Sequence, residues 1–266
     1  MFIPRLISGI IMVVLAAILI ISSGNVLMLA TLIISLIGMF ELYRVFQIEK
    51  TPLAWVSYLM TVVYYCNLSW KWIADPFVLI MGLLIVLMFF YVFSYPKYEA
   101  KDIMAAFFGW FYVGVMLSYI YQIRVLNNGF YLAILIFICS WGCDTFAYCV
   151  GMLMGKHKMS PILSPKKSVE GAIGGVLGTV LLTLLFAYLL RGKAGYEAYQ
   201  IMMISLISAI AAIISMVGDL TASAIKRNYD IKDYGNLIPG HGGIMDRFDS
   251  VMITAPIIYY LAVYLL

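Results

Sequence analysis

The chain has 266 residues, 64% of them hydrophobic and 11% charged, with a net charge of +4. A mean hydropathy of +1.01 lies far outside the range of soluble domains, so the composition excludes a soluble globular protein and specifies an integral membrane protein. The small positive balance follows from where the basic residues fall, would draw anionic headgroups and nucleotides to one face, and makes no case for nucleic acid.

Apolar runs of roughly 17–25 residues can cross a hydrocarbon core as helices, which satisfy their own backbone polar groups where water is absent. About nine such runs are read, over 5–22, 26–42, 53–69, 76–94, 103–122, 130–153, 169–190, 199–217 and 244–265. Alternating strands of about ten residues are missing, which argues against a β-barrel. The expected fold is therefore all-α, a polytopic integral membrane protein with about nine transmembrane helices. The first run follows Arg5 and resembles a signal peptide, but "ISSGNV" offers no small-x-small cleavage site, so it is read as a retained helix.

Basic residues set the orientation. Arg5, Arg44, Lys50, Lys97, Lys101, Lys156, Lys158, Lys166, Lys167, Lys226, Arg227, Lys232 and Arg247 fall on one side, leaving Lys71, Arg124, Arg191 and Lys193 for the other. The N-terminus is thus predicted to be cytoplasmic and the C-terminus outside, with a bacterial cytoplasmic (inner) membrane as the simplest location. Cys66, Cys139, Cys143 and Cys149 form no CxxC pair and read as buried, reduced thiols.

The first five runs carry almost no charge, so 1–129 reads as scaffold and 130–266 as the catalytic region. The connections are short except for about 154–168 and 218–243. No internal repeat is evident, which weakens a transporter built from inverted halves. Gly151 and Gly155, Gly171 and Gly175, and Gly174 and Gly178 are spaced for close helix packing, and such faces would permit a homodimer.

A carboxylate at mid-membrane costs roughly 2.5–3.5 kcal/mol and therefore faces a partner, a metal or water. Asp144, Glu170, Asp219, Asp246 and Asp249 all lie from the sixth run onward. If the helix continues through "VGDLTASAIKR", Asp219, Ser223 and Lys226 share a face beside Arg227; Asp246 and Asp249 share one at the start of the last helix. Converging carboxylates repel one another unless a cation joins them, and Mg²⁺ held by a few carboxylates and substrate phosphates removes that conflict. Ion pairing alone explains any single acid-base pair, but Lys226, Arg227, Lys232, His241 and Arg247 exceed that need. The turn "PGHGG" also holds glycines that let backbone N–H groups approach phosphate. In "SPKKSVEGAIGG", Ser168 is a plausible N-cap with Lys166 and Lys167 before it, a second anion-favouring helix start. Asp144 stands mid-span, and an ion pair from another helix or contact with metal or nucleotide are equally open. Gly-x-Ser-x-Gly, HExxH and Walker A patterns do not occur.

Taken together, Ser223-x-x-Lys226-Arg227, Lys232-Asp233-x-Gly235 and Ile238-Pro239-x-His241-Gly242-Gly243-x-x-Asp246-Arg247-x-Asp249 resemble the signature of the phosphatidate cytidylyltransferases, also called CDP-diacylglycerol synthases. The resemblance implies transfer of a cytidylyl group from CTP to phosphatidate, giving CDP-diacylglycerol and pyrophosphate, with Mg²⁺ required and room for a second cation. On that similarity Asp219, Asp246 and Asp249 are expected to bind metal. Lys226, Arg227 and Arg247 would act on phosphate oxygens, and Ser223, Lys232, Asp233, His241, Gly242, Gly243, Lys167, Ser168 and Asp144 would contact substrate. A cytidylyltransferase for another lipid, or a polyprenol kinase, is the neighbouring alternative, and a cation-coupled transporter the one from a different class.

Overall fold

The computed structural model describes residues 2–266, with side chains from residue 7 onward; the side chain of Arg5, used in the orientation argument, lies outside the described residues. Among the described residues the chain forms nine helices. They are α1 (Phe2–Ser22), α2 (Gly24–Val45), α3 (Pro52–Trp70), α4 (Phe77–Phe93), α5 (Ala100–Arg124), α6 (Gly129–Met154), α7 (Val169–Ala194), α8 (Ala198–Asn228) and α9 (Met245–Leu265). Each covers one apolar run, and the fold is that of an all-α polytopic membrane protein. Six helices, α2 and α5 to α9, are long and apolar enough to cross a membrane, while Ile7–Ser22 and α4 are shorter apolar helices.

Two compact units divide the chain, one of Met1–Gln122 with Asp233–Asp246 and one of Ile123–Lys232 with Arg247–Leu266. In the first, Tyr43, Tyr65 and Trp110 are fully buried. The Tyr43 hydroxyl donates to Ala106 O at 2.5 Å, and Gly109 lies so close to the Tyr43 ring that a Cβ would overlap it, which fixes α2 against α5. Trp110–Val115 widens α5 into a π-helical turn. Thr51 caps α3, accepting from Ala54 N, and Pro52 occupies the first helical position, where its missing N–H costs nothing.

In the second unit α6 and α7 close on one another through small residues. A Cβ on Gly174 would overlap Val150, one on Gly178 would overlap Phe146, and one on Gly171 would come within 2.7 Å of Ala147 O. The opposite side of α7 exposes Leu177, Leu181, Leu185 and Leu189 at i, i+4 spacing, while Thr179 and Thr183 are buried. Apolar side chains outward and small or hydroxylated ones inward is the arrangement of a helix in lipid. All four cysteines are free; Cys139 and Cys143 are buried, whereas Cys149, expected to be buried, is exposed.

Two elements differ from the sequence reading. The stretch read as loop at 154–168 contains an antiparallel hairpin, β1 (Lys158–Ser160) and β2 (Ser164–Ser168), pairing Lys158 with Ser168. Its short strands, with Pro161 in the turn between them and Pro165 inside β2, carry no period-two apolar pattern that could reveal them. The other difference is that α8 runs to Asn228 rather than ending near 217, because a hydropathy reading stops where Asp219 begins the polar turns.

Candidate functional site

The hairpin delivers Lys167 and Ser168 to the start of α7. Ser168 is in extended conformation and its Oγ accepts from Gly171 N at 3.1 Å, so it is the N-cap. Lys167 Nζ forms an ion pair with Asp219 Oδ2 on α8. Because α8 continues as a helix, Asp219, Ser223 and Lys226 do follow one another along one face. Gly218 lets α9 approach: a Cβ there would lie 2.9 Å from Asp249 O. The charged neighbours of Asp249 are Asp219, Asp144 and Lys226, and those of Asp144 are Asp219, Lys167 and Arg247. Asp144, Asp219 and Asp249 therefore lie within one another's electrostatic range, with Lys167, Lys226 and Arg247 among their cationic neighbours.

Two cavities open on this group's surroundings. One, of about 390 Å³, has Asp144, Lys166, Lys167, Ser168 and Asp219 at polar positions and Ala147, Tyr148, Met152, Met159, Ala172 and Met216 as apolar wall. The other, of about 180 Å³, is lined by Leu163, Ser164, Pro165, Lys166, Ser223, Lys226, Arg227 and Lys232. Lys166 borders both. Arg247 is half-buried, and its Nε is buried without a hydrogen-bond partner among the described residues. Its backbone oxygen accepts from Trp141 Nε1 at 3.0 Å, which fixes the α9 backbone at this point. A buried guanidinium donor with nothing to bond is costly and calls for an acceptor.

The glycine turn of the first unit is built differently. Asp246 Oδ2 accepts from Tyr234 N at 2.8 Å and Gly243 N at 3.0 Å. The Ile244 and Met245 N–H groups, at the start of α9, donate to Glu41 Oε1 and Oε2 at 3.1 and 2.9 Å. Gly242 has φ of 82°, which a non-glycine residue would adopt only with strain. His241 Nδ1 lies 2.7 Å from Ser8 Oγ, with the donor set by the tautomer. Lys232 and Asp233 are exposed.

The structure thus gathers Asp144, Lys167, Ser168, Asp219, Arg247 and Asp249 in the second unit, with Ser223, Lys226, Arg227 and Lys232 around the smaller cavity. It gives Asp246, Gly242, Gly243 and His241 to the turn of the first. Of the expected triad, Asp219 and Asp249 belong to the second unit and Asp246 to the first. Among the described residues no three His, Cys, Asp or Glu side chains come close enough to hold a metal ion by themselves. Mg²⁺ does not demand that, since it usually takes one or two carboxylates together with substrate phosphates and water.

Sequence reasoning placed Lys166 at the anion-favouring helix start without naming it a substrate contact, and passed over Arg44, whose Nη2 donates to Tyr234 O at 2.5 Å, and Glu41. The signal for Glu41 was present, because a lone acid inside an apolar span needs a partner.

A model described as the Cytidylyltransferase family matches residues 3–265. The chain is 32% identical to a phosphatidate cytidylyltransferase of Synechocystis sp. over 98% of this chain and 97% of that protein. It is 30% identical to one of Staphylococcus aureus, covering 97% of this chain and 98% of the relative. A third, from Staphylococcus haemolyticus, is 28% identical over 90% and 91%.

Proposed function

The chain belongs to the cytidylyltransferase family, and from that membership we propose that it transfers the cytidylyl group of CTP to phosphatidate, yielding CDP-diacylglycerol and pyrophosphate for phospholipid synthesis. The observation that carries this reading is the pair of cavities sharing Lys166. One combines an apolar wall with two lysines and suits a lipid bearing a phosphate headgroup. The other presents Lys166, Lys226, Arg227 and Lys232 to a single small volume and suits a polyphosphate.

In the reaction an oxygen of the phosphatidate phosphomonoester bonds to the α-phosphorus of CTP. The bond from that phosphorus to the bridging oxygen breaks, and pyrophosphate leaves with the electron pair. The nucleophile is already ionised at neutral pH, so no general base is needed. The obstacle is repulsion, about 4 kcal/mol for each pair of unit charges at 4 Å and an effective dielectric near 20. Lys167 would hold the lipid phosphate beside the start of α7, whose positive dipole end favours an anion, with Ser168 shaping that start by capping it. Ser223, Lys226, Arg227 and Lys232 would hold the triphosphate, and Lys166 would neutralise both substrates where they meet. The unpartnered Arg247 Nε would donate to a phosphate oxygen.

The acidic group fits a hard cation: Asp144, Asp219 and Asp249 lie within one another's field, and substrate phosphates would complete the ligand set. Asp219 and Asp249 would hold it, with Asp144 beside them, while Asp246 serves the turn. When bound, Mg²⁺ supplies charge neutralisation at the phosphates. The distribution of basic residues supports a site open to the cytoplasm in a bacterial inner membrane.

The test uses purified protein in detergent with phosphatidate, Mg²⁺ and CTP labelled with ³²P at the α-position or, in parallel, at the γ-position. Label in a lipid of CDP-diacylglycerol mass, abolished by EDTA, is the expected result. Label reaching lipid only from the γ-position would replace the reading with a kinase, and no transfer at all with accessible phosphatidate would reject it.

A further inference from the structure

Glu41 sits on α2 and is 4% exposed. Burying an ionised carboxylate is expensive unless hydrogen bonds and opposite charge compensate. Here both oxygens accept backbone N–H groups at the start of α9, where the positive end of the helix dipole also favours an anion. Arg44, further along the same helix, bonds Tyr234 O, so α2 holds the turn at two points.

Two glycines of the turn are explained by this carboxylate. A Cβ on Gly235 or on Gly243 would overlap the Glu41 carboxylate, and neither residue is among the glycines of positive φ. Their smallness leaves room for Glu41; backbone conformation does not require it. The N–H groups that would make this turn a phosphate cradle are also spent, those of Ile244 and Met245 on Glu41 and those of Gly243 and Tyr234 on Asp246.

We infer that Glu41 is a positioning residue: its carboxylate fills the anion site at the start of α9, fixes the helical turn from which Asp246, Arg247 and Asp249 project, and keeps substrate phosphate out of the glycine turn. The kinetic part of this role rests on the transfer reaction proposed above; the packing part does not.

The experiment uses the full chain in detergent. Glu41→Gln keeps the volume but replaces one acceptor by an NH₂ group that must face a backbone N–H. Loss of a residue that orients metal-binding and substrate-binding groups typically costs about 10- to 100-fold, and a fall of that size in kcat is expected, with a raised half-activating Mg²⁺ concentration and KM for CTP little changed. Glu41→Asp, which keeps the charge, should recover part of the activity. A lowered Tm with kcat and Mg²⁺ requirement unchanged would make Glu41 merely structural and overturn the proposal.

The packing is tested by a double-mutant cycle. Gly243→Ala should lower Tm in the native background and have little further effect on top of Glu41→Ala, because the overlapping carboxylate is then gone. Additive effects would overturn the assignment. Should Glu41→Ala not yield folded protein, the cycle is run with Glu41→Asp, whose shorter side chain also draws the carboxylate back from Gly243. If the native protein transfers no label, the reaction reading fails, while the Tm cycle still decides whether Glu41 fills the α9 start.

Discussion

The start of α7 reads Lys166-Lys167-Ser168-Val169-Glu170-Gly171, and the start of α9 reads Gly242-Gly243-Ile244-Met245-Asp246-Arg247. Both place glycine, cations and backbone N–H groups at the positive end of a helix dipole, and both read in the sequence as places for an anion. At α7 the cap is a neutral hydroxyl, the neighbouring Lys167 reaches Asp219, and a cavity of about 390 Å³ adjoins. At α9 two carboxylates of the protein itself occupy the N–H groups. The Val169 and Gly171 N–H groups are committed as well, to His157 O and Ser168 Oγ, so what sets α7 apart is a neutral cap, an adjoining cavity and a lysine beside it.

The contrast is broken most directly at Lys167. Removing one preorganised donor to a reacting group typically costs about 10²- to 10³-fold in kcat, and Lys167→Ala is expected to fall in that range. If Lys167→Ala turned over within about threefold of native, the α7 start would be no more a ligand site than that of α9. Lys166 should matter less and in a different way, since it borders both cavities without closing either. Loss of one charge-assisted hydrogen bond of about 1.5 kcal/mol predicts roughly a tenfold rise in KM for CTP and for phosphatidate alike. A rise confined to one substrate would separate the two cavities functionally.

How much of this was legible follows from particular residues. Each of the nine helices among the described residues overlaps one apolar run, because an apolar stretch in lipid has to satisfy its own backbone. Ser168 as a cap and the Asp219, Ser223, Lys226 face were legible because capping and helical spacing are local. The division of labour between Asp246 and Asp249 was not, although they are three residues apart. It depends on Tyr234 and Gly243 offering N–H groups to one, and on Asp144 and Asp219 surrounding the other. Glycine was misleading in the same way. Gly242 is required by its φ, Gly243 by a side chain two hundred residues earlier, and Gly174 by Val150, yet the letter is identical.

The smallest predicted effect is the one that separates a cap from a ligand. Ser168 borders the larger cavity, so its hydroxyl has access to a bound phosphate, but its Oγ is committed to Gly171 N and is enclosed by Gly151, Gly155 and Gly171. Replacing an N-cap serine by alanine costs about 1 kcal/mol. Ser168→Ala should therefore lower Tm by a few degrees while leaving kcat and KM for phosphatidate within about twofold of native. Loss at α7 would then be one of stability alone, whereas loss of Glu41 at α9 is expected to change stability, kcat and Mg²⁺ requirement together. A rise in KM for phosphatidate with Tm unchanged would show the hydroxyl donating to the lipid instead, and the α7 start would then bind its anion through the cap residue as well as beside it.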